Sequence, residues 1–79
     1  MKNSQPAAGV VKRSLVIAGH RTSVSLEESF WTALTGLAAG RGQSIASVVA
    51  EIDAARAGAN LSSAIRVSLL EDALRAKAR

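Results

Sequence analysis

One short run of the chain alternates strictly between apolar and polar positions. In Arg21-Thr-Ser-Val-Ser-Leu26, residues Thr22, Val24 and Leu26 fall on one face of an extended backbone, and Arg21, Ser23 and Ser25 fall on the other. A strand this short cannot bury itself alone. Its free face carries one basic and two hydroxyl side chains, which suits pairing with a copy of itself.

The period then changes from two to that of a helix. Leu26, Phe30, Leu34, Leu37 and Ala38 lie on one helical face, which predicts helix A over about 26–39. Ser25 and Glu28 have the spacing of a capping box, and Glu27 and Glu28 suit the positive end of the helix dipole. Gly40-Arg41-Gly42 ends the pattern, since glycine accepts the left-handed conformation that closes helices. Helix B is expected over 45–56, after Ser44 as N-cap, with Ile45, Val48, Val49 and Ile52 at helical spacing. Helix C is expected over 61–77, after the break at Ala57-Gly-Ala-Asn60. It carries two apolar stripes: Leu61, Ile65, Leu69 and Ala73, and then Val67, Leu70 and Leu74. Two stripes imply contacts on two sides. Glu71 and Arg75 are spaced for an i, i+4 ion pair.

Upstream of the alternating run, residues 12–18 (Lys-Arg-Ser-Leu-Val-Ile-Ala) read as a β-rich extended segment broken by Gly19-His20. That segment either folds back as a hairpin or continues into a longer kinked ribbon, which makes 12–26 the strand region. Residues 1–11, with Pro6, Gly9 and small polar side chains, read as a flexible arm.

Composition adds a size argument and a charge argument. A chain of 79 residues is one domain, 12–79, and a domain that small is marginal alone. There is no cysteine to supply a disulfide or thiolate metal site, and the lone His20 is a poor metal ligand. Self-association is the remaining common remedy, consistent with an apolar content of 48%. The net charge of +4 is placed unevenly. Lys2, Lys12, Arg13 and Arg21 stand in an acid-free N-terminal third, whereas bases and acids balance from Glu27 onward. An acid-free basic stretch beside a strand suits a polyanion.

The order strand, helix, glycine-containing turn and Ser-capped helix over residues 20–56 resembles the ribbon-helix-helix (Arc/MetJ-like) family of DNA-binding proteins. The combination with Ala18-Gly-His-Arg-Thr-Ser and Asn60-Leu-Ser-Ser-Ala-Ile-Arg66 looks like a small bacterial subgroup of it. The resemblance implies a mainly α fold with a short β-ribbon, a homodimer whose two strands pair antiparallel in the major groove, plus here an extra N-terminal extended segment and a third helix. It places Arg21, Ser23 and Ser25 against base edges and Ser44 against a phosphate at the start of helix B. Arg41, Lys12, Arg13 and His20 are candidates for further phosphate contacts. Val24, Leu26, Phe30, Leu34, Val48, Val49 and Ile52 are the expected dimer core. Ser25 departs from the longer side chain that minimal members often carry there, and it is also the expected helix cap.

The implied function is a transcriptional regulator, a repressor or autoregulator, with double-stranded DNA and a second copy as partners. The alternative is an antitoxin or adaptor whose helix C grips a protein. Catalysis finds little support. One histidine, no cysteine, no tyrosine and no phosphate-binding glycine loop leave no nucleophilic or acid–base constellation, and no cofactor is called for. Leu15-Val-Ile-Ala18 is too short for a secretory apolar segment and nothing approaches a membrane span, so the sequence reads as cytoplasmic.

Overall fold

The structure, a computed structural model, describes residues 9–78, so most of the expected arm lies outside the described residues. The element order is β1 (Val10–Ile17), β2 (His20–Glu27), α1 (Glu28–Arg41), α2 (Ile45–Ala55) and α3 (Leu61–Lys77).

The open question about residues 12–18 is answered by a hairpin. β1 and β2 pair antiparallel from Ile17↔His20 to Val10↔Glu27. Residues 10 and 11, expected in the arm, belong to β1. The connection is the two residues Ala18 and Gly19, both at positive φ (52° and 84°). Two positive φ values make the hairpin turn whose twist matches the strands. Glycine takes this conformation freely; alanine does so at a cost of about 1–2 kcal/mol. An alanine in the first turn position is a weak hairpin signal, which is why sequence left the alternatives open.

The register divides the hairpin into two faces. Val11, Arg13, Leu15, Ile17, Thr22, Val24 and Leu26 lie toward the helices, together with His20 at the turn. Val10, Lys12, Ser14, Val16, Arg21, Ser23, Ser25 and Glu27 lie on the opposite face. Ile17, Val24 and Leu26 are buried with Trp31, Leu34, Ala38, Val48, Val49, Ile65 and Leu69 in one hydrophobic core among the described residues.

Helix α1 starts two residues later than expected. Its N-cap is Glu27, which makes no side-chain capping bond. Ser25 is a strand residue opposite Lys12 and is no helix cap, and Leu26 is the last inward strand residue rather than part of the helical stripe. The strand keeps its pairing to Glu27 because Val10 and Val11 extend β1 to meet it. Helix α1 also passes through Gly40 and ends at Arg41, where Gly42 at φ 67° presents N–H to the Ala39 carbonyl (3.1 Å). Helices α2 and α3 have the expected caps. The Ser44 hydroxyl accepts from Ser47 N–H (3.0 Å) and the Asn60 side chain accepts from Ser63 N–H (2.8 Å). Arg56, expected inside helix B, is its C-cap and pairs with Asp53.

Packing sorts the aromatic pair. Trp31 is buried, and its indole N–H donates to the Val11 carbonyl (2.9 Å), which ties α1 to β1. Phe30, one step round the helix, is only half-buried, with the Arg66 guanidinium 5.7 Å from its ring centre. Helix α3 buries the middle of its first stripe, Ile65 and Leu69, with Leu61 half-buried and Ala73 exposed, while Val67, Leu70 and Leu74 are more than half exposed. Arg75 pairs with Asp72 (3.5 Å) rather than Glu71, since residues three apart are neighbours as much as residues four apart.

Candidate nucleic-acid interface

The outer face of the hairpin is where sequence and structure converge. Arg21, Ser23 and Ser25 project from β2 on the side away from the core, as the alternation implied. Facing them across the ladder are Val16, Ser14 and Lys12 of β1. The six side chains make a small plate with a cation at each end, hydroxyls between, and one exposed valine beside Arg21. Val16 is 61% exposed. Sequence reading overlooked Ser14 and Val16 because their face depends on the hairpin register. The usable signal was the Ala18-Gly19 break, which, read as a two-residue turn, puts residues 12, 14 and 16 opposite 25, 23 and 21.

The register also decides which edge of β2 is open. With Ile17 and His20 closing the turn, hydrogen-bonded pairs recur at 15/22, 13/24 and 11/26. The backbone N–H and C=O groups of Arg21, Ser23 and Ser25 therefore point to the opposite edge. Among the described residues no strand covers that edge.

The phosphate candidates fall in different places. Lys12 is on the outer plate. Arg13 is on the inner face, its guanidinium 4.8 Å from the Trp31 ring centre and 3.9 Å from Glu28. His20 is exposed at the hairpin tip and pairs with Ile17 on the helix-facing side. Ser44 caps α2 with its oxygen, which leaves its O–H free to donate to an anion beside the first N–H groups of the helix. Arg41, in the turn before it, is 3.5 Å from Glu51, and the same carboxylate accepts from the Gln43 amide (2.7 Å).

A polar clamp fixes the base of β2. The Arg66 guanidinium donates to the Glu27 carboxylate (2.9 Å). That hydrogen bond, with a backbone hydrogen bond and the guanidinium charge adding to it, holds Glu27 below the ordinary carboxylate range. Glu27, the acid at the end of the outer face, is thereby engaged by α3.

Of the expected dimer core, Val24, Leu26, Leu34, Val48 and Val49 are buried within one protomer, so their burial needs no second copy. Phe30 and Ile52 are half-buried and retain surface for one. Among the described residues no cluster of three or more His, Cys, Asp or Glu side chains could hold a metal ion, and no helix is long and apolar enough to cross a membrane.

Residues 10–73 match the ribbon-helix-helix domain family. The chain belongs to that family. The ribbon-helix-helix fold is a DNA-binding one, found in regulators and antitoxins, and the sheet followed by three helices agrees with it. An uncharacterized protein from Bordetella pertussis Tohama I is similar in structure, with a TM-score of 0.73 and 30% identity over 98% of this chain. This chain spans 66% of that one's length. No curated protein matches.

Proposed function

We propose that this ribbon-helix-helix protein is a sequence-specific, homodimeric transcriptional regulator, a repressor or autoregulator acting in the cytoplasm, and that it reads DNA with the outer face of its hairpin. The observation that carries this reading is the outer plate itself: from residue 12 to 25 it contains Lys12, Arg21, three serines and Val16, and no carboxylate. Arg21 matches the N7 and O6 acceptors of guanine, and serine hydroxyls serve several bases.

The open edge of β2 supports a two-fold partner. Two copies joined there form a four-stranded antiparallel sheet in the order β1, β2, β2, β1. At a strand spacing of about 4.8 Å, the β2 strands lie about 2.4 Å from the axis and the β1 strands about 7 Å out. The major groove is about 12 Å wide, so β2 takes the centre of the groove and Lys12 of β1 comes over the phosphate rim. Ser44 and the α2 N-terminus supply the phosphate contact that fixes orientation. Arg41 and Arg13, each beside a glutamate, contribute less. The dimer predicts a palindromic site.

The regulator reading is favoured over an antitoxin whose C-terminal segment folds on a toxin, because Ile65 and Leu69 bury α3 in this chain's own core. The test is binding of the purified protein to its own upstream DNA and to a shuffled duplex across a salt titration. Selective binding with a steep salt slope is the expected result. Equal affinity for both duplexes, or none at low salt, contradicts it.

A further inference from the structure

A strongly apolar open surface lies away from the hairpin plate. An open groove of about 400 Å³ runs between α1 and α3, lined by Phe30, Ala33, Leu69, Leu70 and Ala73, with Arg66 its single ionisable group. Arg66 is already paired with Glu27. On the α3 rim of the groove, Val67, Leu70 and Leu74 form a ridge, exposed at 53%, 57% and 56%. They are three of the five large apolar side chains that stand exposed among the described residues. Their spacing of three and four residues is a helix-pairing seam, turned away from the Ile65–Leu69 face.

We propose that this ridge and groove are the helical half of the dimer interface, and that their occupant is the same ridge of a second copy. The inference rests on the dimeric reading above and adds to it a second, independent contact. Three observations carry it.

The first is self-complementarity. One surface carries both the projecting leucines and the apolar groove, which is what a two-fold contact requires. The second is charge. The groove has no unpaired ion to desolvate, so an uncharged apolar ridge fits it and a charged peptide gains little.

The third is position. Helices α1 and α3 both pack on β2, whereas α2 packs on β1. Arg66 reaches from α3 to Glu27 at the end of β2 and covers Phe30, so the groove opens on the β2 side of the molecule. The open edge of β2 is on that same side. A single two-fold axis normal to the sheet at that edge joins the two β2 strands antiparallel and brings the two ridges together. The interface then continues from backbone hydrogen bonds in the sheet to an apolar seam beneath it. This also accounts for a chain too small to be secure alone leaving three large apolar residues in water.

The experiment uses the full chain at several concentrations in sedimentation equilibrium, beside Leu70→Glu and two single-cysteine variants treated with a bismaleimide. Ala73→Cys places a thiol in the groove; Ala54→Cys places one on the exposed face of α2 as a control. Circular dichroism of each variant establishes that the helices are retained. The wild type is expected to be a dimer, Leu70→Glu to raise the dimer dissociation constant about tenfold or more with helicity unchanged, and Ala73→Cys to cross-link well ahead of Ala54→Cys. A monomeric wild type, a Leu70→Glu that dimerises as the wild type does, or equal cross-linking of the two cysteine variants overturns the proposal. If the wild type binds its site as a dimer and Leu70→Glu does too, the seam fails and the DNA-binding reading stands. If no DNA is bound, that reading fails while sedimentation and cross-linking still decide the seam.

Discussion

The two faces of the hairpin are built from alternate residues of the same sixteen positions, yet they differ in almost every property. The inner face buries Ile17, Val24 and Leu26 under three helices. The outer face leaves Lys12, Ser14, Val16, Arg21 and Ser23 exposed and covers none of them within the protomer. The contrast separates stability from recognition residue by residue. A substitution on one face is expected to change unfolding, and its neighbour one position along to change only what is bound.

The largest effect belongs to the inner face. Leu26→Ala removes a fully buried side chain and is expected to cost about 2–5 kcal/mol in urea unfolding, with DNA binding lost along with the fold. Arg21→Ala, on the outer face, is expected to leave the urea midpoint unchanged and to weaken specific binding by about 1–3 kcal/mol in a titration of the preferred site. A parallel loss of stability would erase the division between the faces. At the turn that joins the strands, Ala18→Gly relieves the positive-φ strain and is expected to stabilise by up to about 1 kcal/mol, read as a higher thermal midpoint with unchanged DNA affinity.

The smallest effect lies at the Glu27–Arg66 clamp. Because Glu27 titrates below its ordinary value in the folded chain, its contribution is present above the ordinary carboxylate pKa and is lost as pH falls through the lowered one. Thermal unfolding of Glu27→Gln against the wild type should therefore differ near neutrality and converge in acid.

Much of this arrangement was legible in the residues. Ser44 and Asn60 cap α2 and α3 because short polar side chains there accept from the unpaired N–H groups of the first turn, and strict alternation from Arg21 to Leu26 implies which side of β2 faces out. The errors arose where one residue satisfies two patterns. Ser25 and Glu28 imitate a capping box, and Leu26 fits both a strand and a helix, so the sequence pattern predicts a helix start two residues early. The strand wins because β1 extends to Val10 and keeps Glu27 paired. Arg13 and Ser14 exchanged apparent importance because their faces follow from the hairpin register, and the register turns on an alanine in a conformation alanine rarely takes. Phe30 packs against the core, as its place in the helical stripe implies, but a period of 3.6 does not show how far each member of the stripe is covered, and the α1–α3 groove leaves it half open.

The central claim is that the outer face of the hairpin reads the floor of the major groove. Methylation interference tests it most directly, by treating the bound sequence with dimethyl sulfate so that guanine N7 is blocked in the major groove. The account predicts that N7 methylation excludes wild-type protein at symmetrically placed guanines in two half-sites, and that Arg21→Ala becomes indifferent to one guanine in each. Binding that is insensitive to N7 methylation, or an Arg21→Ala pattern identical to the wild type, would contradict it.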